Sequence, residues 1–447
     1  MKSHLSNALC GVLDYSSYPV GMLFAAPIIL HHRGPSEYGI WAMTTALVSI
    51  GGILASGFGD ANIQQVASRL GASKDSFRID SSLIRVVRST MSIHLALGIL
   101  LAVAAWVAAP VLASHVSASE PASYPQCLWC FRLATVMILT RAIETVCVST
   151  QRAFQRYGAS VRISITVRLM CLALAAVLAI TGHGVVLIVA SNAALTVTGL
   201  SLQLLDLKGL FAGASLMPTL DHSELSRLFS FGIFSWLIAV FGVTFNQIDR
   251  LMLGTSLGAT ALASYALCSQ LTQPAYGLCS AGLHFIFPYL ANRRESASLA
   301  SLHRPVLLAF ASNLFFVVAT AAFLMLFGNH LLKLWVGEAL AVQAASILPT
   351  LALGSGLLAL NVTATYSLAA LGHMKTVTFF NVAGGAGMFA MMFYLMPRYG
   401  SQGIAVAKLA YGVFTLGMYL PLIRSLRLPH TTQANLSDAC APVCEEA

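Results

Sequence analysis

Residues 91–113 read MSIHLALGILLAVAAWVAAPVLA, a run without a single charge and with only Ser92 and His94 as polar interruptions. A helix crosses the hydrocarbon of a bilayer with about 20 mostly apolar residues, and this run meets that length. Outward from it, the same pattern recurs along the chain. The candidates are Tyr15–Leu30, Tyr38–Gly57, Met91–Ala113, Cys127–Thr150, Val161–Thr181 and Val185–Leu205. They continue with Leu228–Ile248, Ala259–Phe287, Val306–Phe327, Ala341–Leu368, Val377–Met396 and Ile404–Leu422. The expected fold is therefore all-α: a polytopic membrane protein of twelve transmembrane helices.

Composition excludes the rivals. The chain has 447 residues, 57% of them hydrophobic and 9% charged, with a mean hydropathy of +0.78. Soluble domains carry about 25% charged residues, so a water-soluble enzyme is excluded. Disorder needs the opposite composition. Barrel strands would show short alternating segments instead of long apolar runs.

Loop cations set the orientation. One side carries Lys2, Arg69, Lys74, Arg78, Arg85, Arg88, Arg152, Arg156, Arg162, Lys208, Arg227, Arg293, Arg294, Arg304, Lys375, Arg424 and Arg427. The other carries Arg33, Arg250, Lys333 and Arg398. This bias places both termini in the cytoplasm and requires an even number of spans. The net charge of +9 is thereby a matter of topology, and no nucleic-acid partner is expected. No cleavable signal peptide is expected at the start of the chain.

The chain divides into an N-terminal six-helix bundle (1–205), a cytoplasmic linker (206–227), a C-terminal six-helix bundle (228–428) and a disordered cytoplasmic tail (429–447). A faint repeat relates the bundles. Arg33-Gly-Pro-Ser-Glu-Tyr follows the first span, and Leu257-Gly-Ala-Thr-Ala-Leu-Ala-Ser-Tyr follows the seventh. Two halves related by a pseudo-two-fold axis, with a path between them, are a frequent transporter plan. The long inward loop Asp60–Thr90 carries Ile63, Val66 and Leu70 on one face and reads as an interfacial helix on the inner leaflet. Prolines 19, 27, 274 and 349 are expected to kink their spans. Cys127 and Cys130, like Cys440 and Cys444, read as small apolar residues rather than a redox or metal pair. Asn361-Val-Thr and Asn435-Leu-Ser fall where no glycan is expected, and His284 reads as a packing histidine.

Charge inside a membrane is costly and marks a water-lined path or a buried pair. Arg132, Arg141 and Glu144 lie in the fourth span, Arg168 in the fifth and Lys408 in the twelfth. These residues are the candidate lining of a net-cationic cavity. Arg141 and Glu144, three apart, could equally form a packing pair. Arg132, Arg168 and Lys408 could instead snorkel to an interface. Asn246, Asp249 and Arg250 share a face at the end of the seventh span. No phosphate-binding Gly-Lys-Ser/Thr loop and no metalloprotease His pair occurs, so no catalytic site is expected.

The seventh span and its sequel read Phe231-Gly-Ile-Phe-Ser-Trp, then Asn246-Gln-Ile-Asp-Arg-Leu-Met-Leu-Gly, then Leu257-Gly-Ala-Thr, Ala263-Ser-Tyr-Ala and Phe287-Pro-Tyr-Leu. The first half adds Glu37-Tyr-Gly-Ile-Trp, Gly57-Phe-Gly-Asp-Ala-Asn and Ser149-Thr-Gln-Arg-Ala-Phe-Gln-Arg-Tyr-Gly. Over residues 8–425 this resembles the polysaccharide-transporter branch of the multidrug/oligosaccharidyl-lipid/polysaccharide exporter superfamily, which includes O-antigen and exopolysaccharide repeat-unit flippases. Asn246, Asp249, Arg250, Tyr265 and Pro288 carry its signature.

The resemblance implies a flippase that moves an undecaprenyl-pyrophosphate-linked oligosaccharide across the bacterial inner membrane by alternating access. It implies a polyprenyl-pyrophosphate-linked substrate, membrane lipids and a polymerase with other assembly proteins as partners. Proton or sodium coupling, without a cofactor, is the expectation for the superfamily. Guanidinium groups suit a pyrophosphate because they bind it bidentately. On this resemblance Asp249 and Arg250 either fix the turn between spans seven and eight or touch substrate. The rivals are a cation-coupled multidrug antiporter of the same fold, a lipid-linked peptidoglycan-precursor flippase, and a membrane-embedded enzyme.

Overall fold

The computed structural model describes residues 2–56, 58–72, 81–154, 156–211, 213–219, 221–283, 286–293 and 299–427. His284, Cys440, Cys444, Asn435 and the tail expected at 429–447 lie outside the described residues. The helices are α1 (Lys2–Ser56), α2 (Gly59–Ala72), α3 (Ser81–Val116), α4 (Tyr124–Ala153), α5 (Tyr157–Ile180), α6 (Val185–Leu210) and α7 (His222–Leu283). They continue with α8 (Ile286–Arg293), α9 (Leu299–Val336), α10 (Glu338–Ala345), α11 (Leu348–Ala370), α12 (Met374–Thr415) and α13 (Tyr419–Arg427). No strand occurs among the described residues.

Among those residues nine helical stretches are long and apolar enough to cross a membrane. Three helices each hold two expected spans in tandem: α1 is broken at Gly34, α7 at Gly258, and α12 at Gly400 before it runs on towards α13. Eleven of the twelve expected crossings fall in these nine stretches, the seventh, Leu228–Ile248, lies in α7 before the stretch that begins at Gln247, and the protein is a multi-pass membrane protein. Side chains fit that setting. Phe315 is 78% exposed, Leu326 76% and Val107 70%, an inside-out arrangement that only a lipid solvent tolerates.

The breaks at Gly34 and Gly258 are the same backbone event. Their φ/ψ values are 80°/172° and 83°/176°, a region open essentially to glycine alone. These are the two glycines of the faint sequence repeat, so the repeat is a repeat of conformation. Of the prolines, Pro19, Pro27 and Pro274 lie inside helices, but Pro349 does not kink its span. It sits in the first turn of α11, where its missing N–H has no intrahelical partner to lose. The expected tenth span, Ala341–Leu368, is correspondingly split into α10 and α11.

The contacts resolve two compact units. The first comprises Met1–Leu271 with Leu331–Ala344 and Tyr399–Ile404; the second comprises Thr272–His330, Ala345–Arg398 and Ala405–Ala447. In the first unit, polar contacts gather the turns at two ends. At one end Arg33 Nη1 donates to the Gly182 carbonyl at 3.0 Å, and Ser36 Oγ to Glu120 Oε2 at 2.5 Å. These turns follow the first, third and fifth spans. At the other end Asn62 Nδ2 donates to Ser149 Oγ and Thr150 Oγ1 at 2.8 and 2.9 Å, and Gln151 Nε2 to Asp206 Oδ2 at 3.0 Å. These residues close the second, fourth and sixth spans. The alternation that the loop charges require is thus present within the unit.

Helix α2 corrects one expectation. Its apolar stripe does not face a leaflet: Val66 is fully buried, and Ile63 and Leu70 pack with it against Leu83, Val86, Val146 and Leu207 of α3, α4 and α6. The stripe belongs to the protein core.

The second unit is held by an apolar cluster that includes Leu290, Leu302, Leu368 and Met418, all fully buried. Asn313 Nδ2 donates to the Ala359 and Leu360 carbonyls and to Thr363 Oγ1, joining α9 to α11. Asn361, of the sequon-like triplet, is buried with its Nδ2 on the Met418 sulfur.

Candidate substrate cavity

A cavity of about 510 Å³, with charged and polar groups set among apolar ones, opens within the first unit among α1, α4, α5 and α6. Arg141 and Glu144 reach it from α4, Ser164 and Arg168 from α5, Asn192 and Thr196 from α6, and Tyr18 and Trp41 from α1. The helical period explains the grouping. Arg141 and Glu144 are one turn apart, as are Ser164 and Arg168, and Asn192 and Thr196, so each helix turns one polar face inward.

Arg141 is not locked in a tight ion pair. Arg141 Nη1 approaches Glu144 Oε2 only to 3.6 Å, beyond direct hydrogen bonding, and the Arg141 side chain is 39% exposed. Glu144 Oε1 accepts from Ser164 Oγ at 3.4 Å, and Ser164 Oγ in turn accepts from Gln203 Nε2 at 3.3 Å. Arg168 Nη1 donates to Ser17 Oγ at 3.1 Å. The hydroxyl of Tyr18 lies in the fields of Arg250, Arg141 and Arg168, of which Arg141 and Arg168 line the cavity and Arg250 does not. Glu144 is the one acid among the described lining residues, beside Arg141 and Arg168, so the described lining is net cationic.

Two further lining groups, absent from the expected cationic set, point to a polar occupant. Asn192 is 6% exposed and Trp41 2%, yet Asn192 Oδ1 and Trp41 Nε1 have no hydrogen-bond partner among the described residues. Buried polar atoms are normally satisfied. Asn192 had a readable signal: an amide in mid-span, in register with Thr196 and Gln203 at i, i+4 and i+11. Trp41 closes the signature stretch Glu37-Tyr-Gly-Ile-Trp, but nothing there marks it for the cavity, because aromatic residues are common in such helices.

Other candidates lie elsewhere. Arg132 does not line this cavity; its guanidinium lies 4.9 Å from the centre of the Trp106 ring and 5.6 Å from that of Trp129. Lys408 belongs to the second unit, half-buried on α12 beyond Gly400. Asp249 is buried and accepts from the Tyr265 hydroxyl at 2.6 Å and the Arg250 backbone N–H at 2.9 Å. The side chains of Asn246 and Pro288 lie outside the described residues. Cys127 and Cys130 are both fully buried and free.

The signature Glu37-Tyr-Gly acquires physical reasons. Glu37 Oε2 accepts the backbone N–H of Val185 at 2.8 Å, capping α6, while its other oxygen pairs with Arg33 at 2.6 Å. The Tyr38 hydroxyl accepts from Gln270 Nε2 at 2.7 Å. Gly39 lies directly against the backbone of Ala259, where α1 meets α7.

This fold, with a polar cavity inside a shell of lipid-facing helices, is that of the multidrug and flippase transporters. The solved structure of the lipid II flippase MurJ in an inward closed conformation matches with a TM-score of 0.71 at 13% identity, covering 94% of this chain and 89% of that one. An inward-facing multidrug resistance MATE family transporter of the MOP superfamily matches with a TM-score of 0.65 at 16% identity, covering 96% and 100%. At such identities the likeness is one of fold. In sequence, residues 34–345 match the model of the polysaccharide biosynthesis protein family, and the chain belongs to that family. A Shigella flexneri protein assigned as an O-antigen transporter is 22% identical over 187 residues, 42% of this chain and 44% of that protein's length.

Proposed function

We propose that the protein is a flippase for polyprenyl-pyrophosphate-linked oligosaccharide repeat units, working in a bacterial inner membrane with both termini cytoplasmic and supplying O-antigen, capsule or exopolysaccharide assembly. The observation that carries this reading is the cavity in which Arg141 and Arg168 face a single acid, Glu144. Pyrophosphate and sugars cannot cross hydrocarbon unaided. Guanidinium forks meet the diphosphate oxygens bidentately, and their attraction is stronger in a site of low dielectric than in water. The amide of Asn192 and the hydroxyls of Ser164 and Thr196 offer hydrogen bonds to sugar, while the prenyl chain stays in the bilayer.

A drug-cation antiporter would want the opposite sign of charge here. In this reading residues 1–205 and 228–428 act as two six-helix halves in alternating access, and a proton or sodium gradient drives turnover without a cofactor. The products pass to a polymerase and other assembly proteins. The chain itself performs no catalysis.

The test is a deletion strain complemented with variants. Loss of the gene should trap lipid-linked repeat units on the cytoplasmic face. Arg141→Ala and Arg168→Ala should each impair surface export while leaving membrane insertion intact. Lysine at either position should recover only part, because an ammonium cannot reproduce the planar fork. An unchanged distribution of repeat units in the deletion strain would sink the proposal.

A further inference from the structure

A second cavity of about 520 Å³ lies in the first unit, away from Arg141 and Arg168. Its walls are Met91 and Leu95 of α3, Ile143 of α4 and Leu204 of α6, and its lip is the 213–218 segment that follows α6. Polarity changes along it. Leu95, Ile143 and Leu204 lie within spans, with Ile143 nearly three turns, or ~15 Å, below the end of α4. Lys208 stands one turn beyond Leu204 at the mouth, exposed and without a protein partner among the described residues.

The lip is fixed by α3. Arg88 Nε donates to the Met217 carbonyl at 2.8 Å, and Ser92 Oγ donates to the Thr219 carbonyl at 2.8 Å. Arg88 thereby keeps both terminal amino groups for another acceptor. Arg85 lies near enough to Asp221 to act on its charge. The acids nearby are engaged: Asp206 accepts from Gln151, and Asp221 Oδ1 accepts from Ser223 at the start of α7.

An apolar slot within the span, opening at headgroup depth beside two available cations, has the polarity of a lipid. We infer that this cavity seats an anionic phospholipid, its acyl chain against Leu95, Ile143 and Leu204 and its phosphate at Lys208 and Arg88. Charge selects the occupant: a zwitterionic headgroup would bring its own cation to Lys208. Basic pockets between helices on the cation-rich side of a membrane protein suit such lipids. The seated lipid would fill the groove between α3, α6 and the 213–218 segment, and so brace the segment that leads into α7. The inference does not rest on the substrate proposed above.

The purified full-length chain, released from detergent and observed intact by native mass spectrometry, would be offered phosphatidylglycerol, phosphatidylcholine or glycerophosphate. Phosphatidylglycerol should be retained over phosphatidylcholine, and glycerophosphate, which has no acyl chain, should not bind. Lys208→Gln and Arg88→Gln should each lower phosphatidylglycerol retention about fivefold, the effect of one cation at an anionic headgroup, and leave phosphatidylcholine unchanged. Lys208→Gln alters an exposed side chain at a helix end, so folding is preserved even where Arg88→Gln loosens the lip. Leu216→Trp, which fills the slot from its rim, should reduce both lipids, and Lys375→Gln on α12 should reduce neither. Equal retention of the two phospholipids would overturn the inference. Wild-type retention in Lys208→Gln, or displacement by an equal amount of undecaprenyl phosphate, would overturn it as well. Binding is read without transport, so failure here is separable from failure of the flippase reading.

Discussion

Gly39 of α1 lies against Ala259 of α7 so closely that a side-chain carbon on Gly39 would fall on the Ala259 carbonyl. Each residue follows a repeat glycine, Gly34 or Gly258, that breaks its helix with the same backbone geometry. The two breaks and the contact between the helices behind them are one construction. Tyr38, the residue before Gly39, accepts from Gln270 and is fully buried.

Gly39→Ala should therefore destabilise the protein more than an ordinary core substitution. The atom in the way is backbone, which cannot rotate aside, so α1 and α7 must separate. Overpacking costs about 1–3 kcal/mol where side chains can yield, and this site should reach or exceed the top of that range. A thermal melt in detergent should show a clear drop for Gly39→Ala. Alanine at Gly387, where no atom lies within 4 Å, should leave the melt unchanged.

Arg69 on α2 and Glu224 at the start of α7 form the most enclosed ion pair described, 2.5 Å apart with side chains 17% and 6% exposed, and Arg69 Nη1 also donates to the Ser82 carbonyl. Removing one partner leaves a buried charge without compensation. Glu224→Ala or Arg69→Ala should cost about 3 kcal/mol. Replacing both with apolar residues of similar size should cost less than either single change. A double-mutant cycle on melting or denaturant curves checks this; additive losses would mean that the pair is not coupled.

Asp249 and Tyr265, both signature residues, meet in a buried hydrogen bond of 2.6 Å. Tyr265→Phe keeps the ring and removes the donor, leaving one Asp249 oxygen short of a partner at a cost of about 1–3 kcal/mol. If the pair serves the fold, stability should fall while residual export tracks the amount of folded protein. Export lost at normal stability and abundance would place Asp249 in the transport step instead.

Much of this arrangement was legible in the chain. The apolar runs located the crossings because hydrocarbon length is a physical constant of the bilayer. The loop cations required the alternation that Arg33–Gly182 and Asn62–Ser149 display at the two ends of the first unit. Arg141, Glu144 and Arg168 were legible because charge in a span is rare, and the cavity unites them. Tertiary contacts were not legible. Nothing local to Arg132 announces Trp106, which stands on another helix. The apolar face of α2 reads alike whether it meets lipid or protein; only the packing of Val66 on α3, α4 and α6 decides. Pro349 was misread because a proline kinks or opens a helix according to where the helix begins.

Arg132 and Arg141 belong to one helix and one residue type, yet the structure gives them different surroundings, which makes them a matched test. Arg132 lies against two half-exposed indoles, Trp106 at 47% and Trp129 at 52%, as a cation–π cluster that would serve as an anchor. Cation–π contacts of this kind contribute about 0.5–1 kcal/mol at exposed sites. Arg132→Lys should keep the anchor, and Arg132→Leu should lower stability slightly while leaving export per folded molecule intact. Arg141→Leu should abolish most export with little change in the melt, since its guanidinium is bound to Glu144 only loosely. Parallel assays of surface polysaccharide and of melting temperature separate the outcomes. If Arg132→Leu blocks export as fully as Arg141→Leu does, the transport path must extend to the Trp106 side of α4.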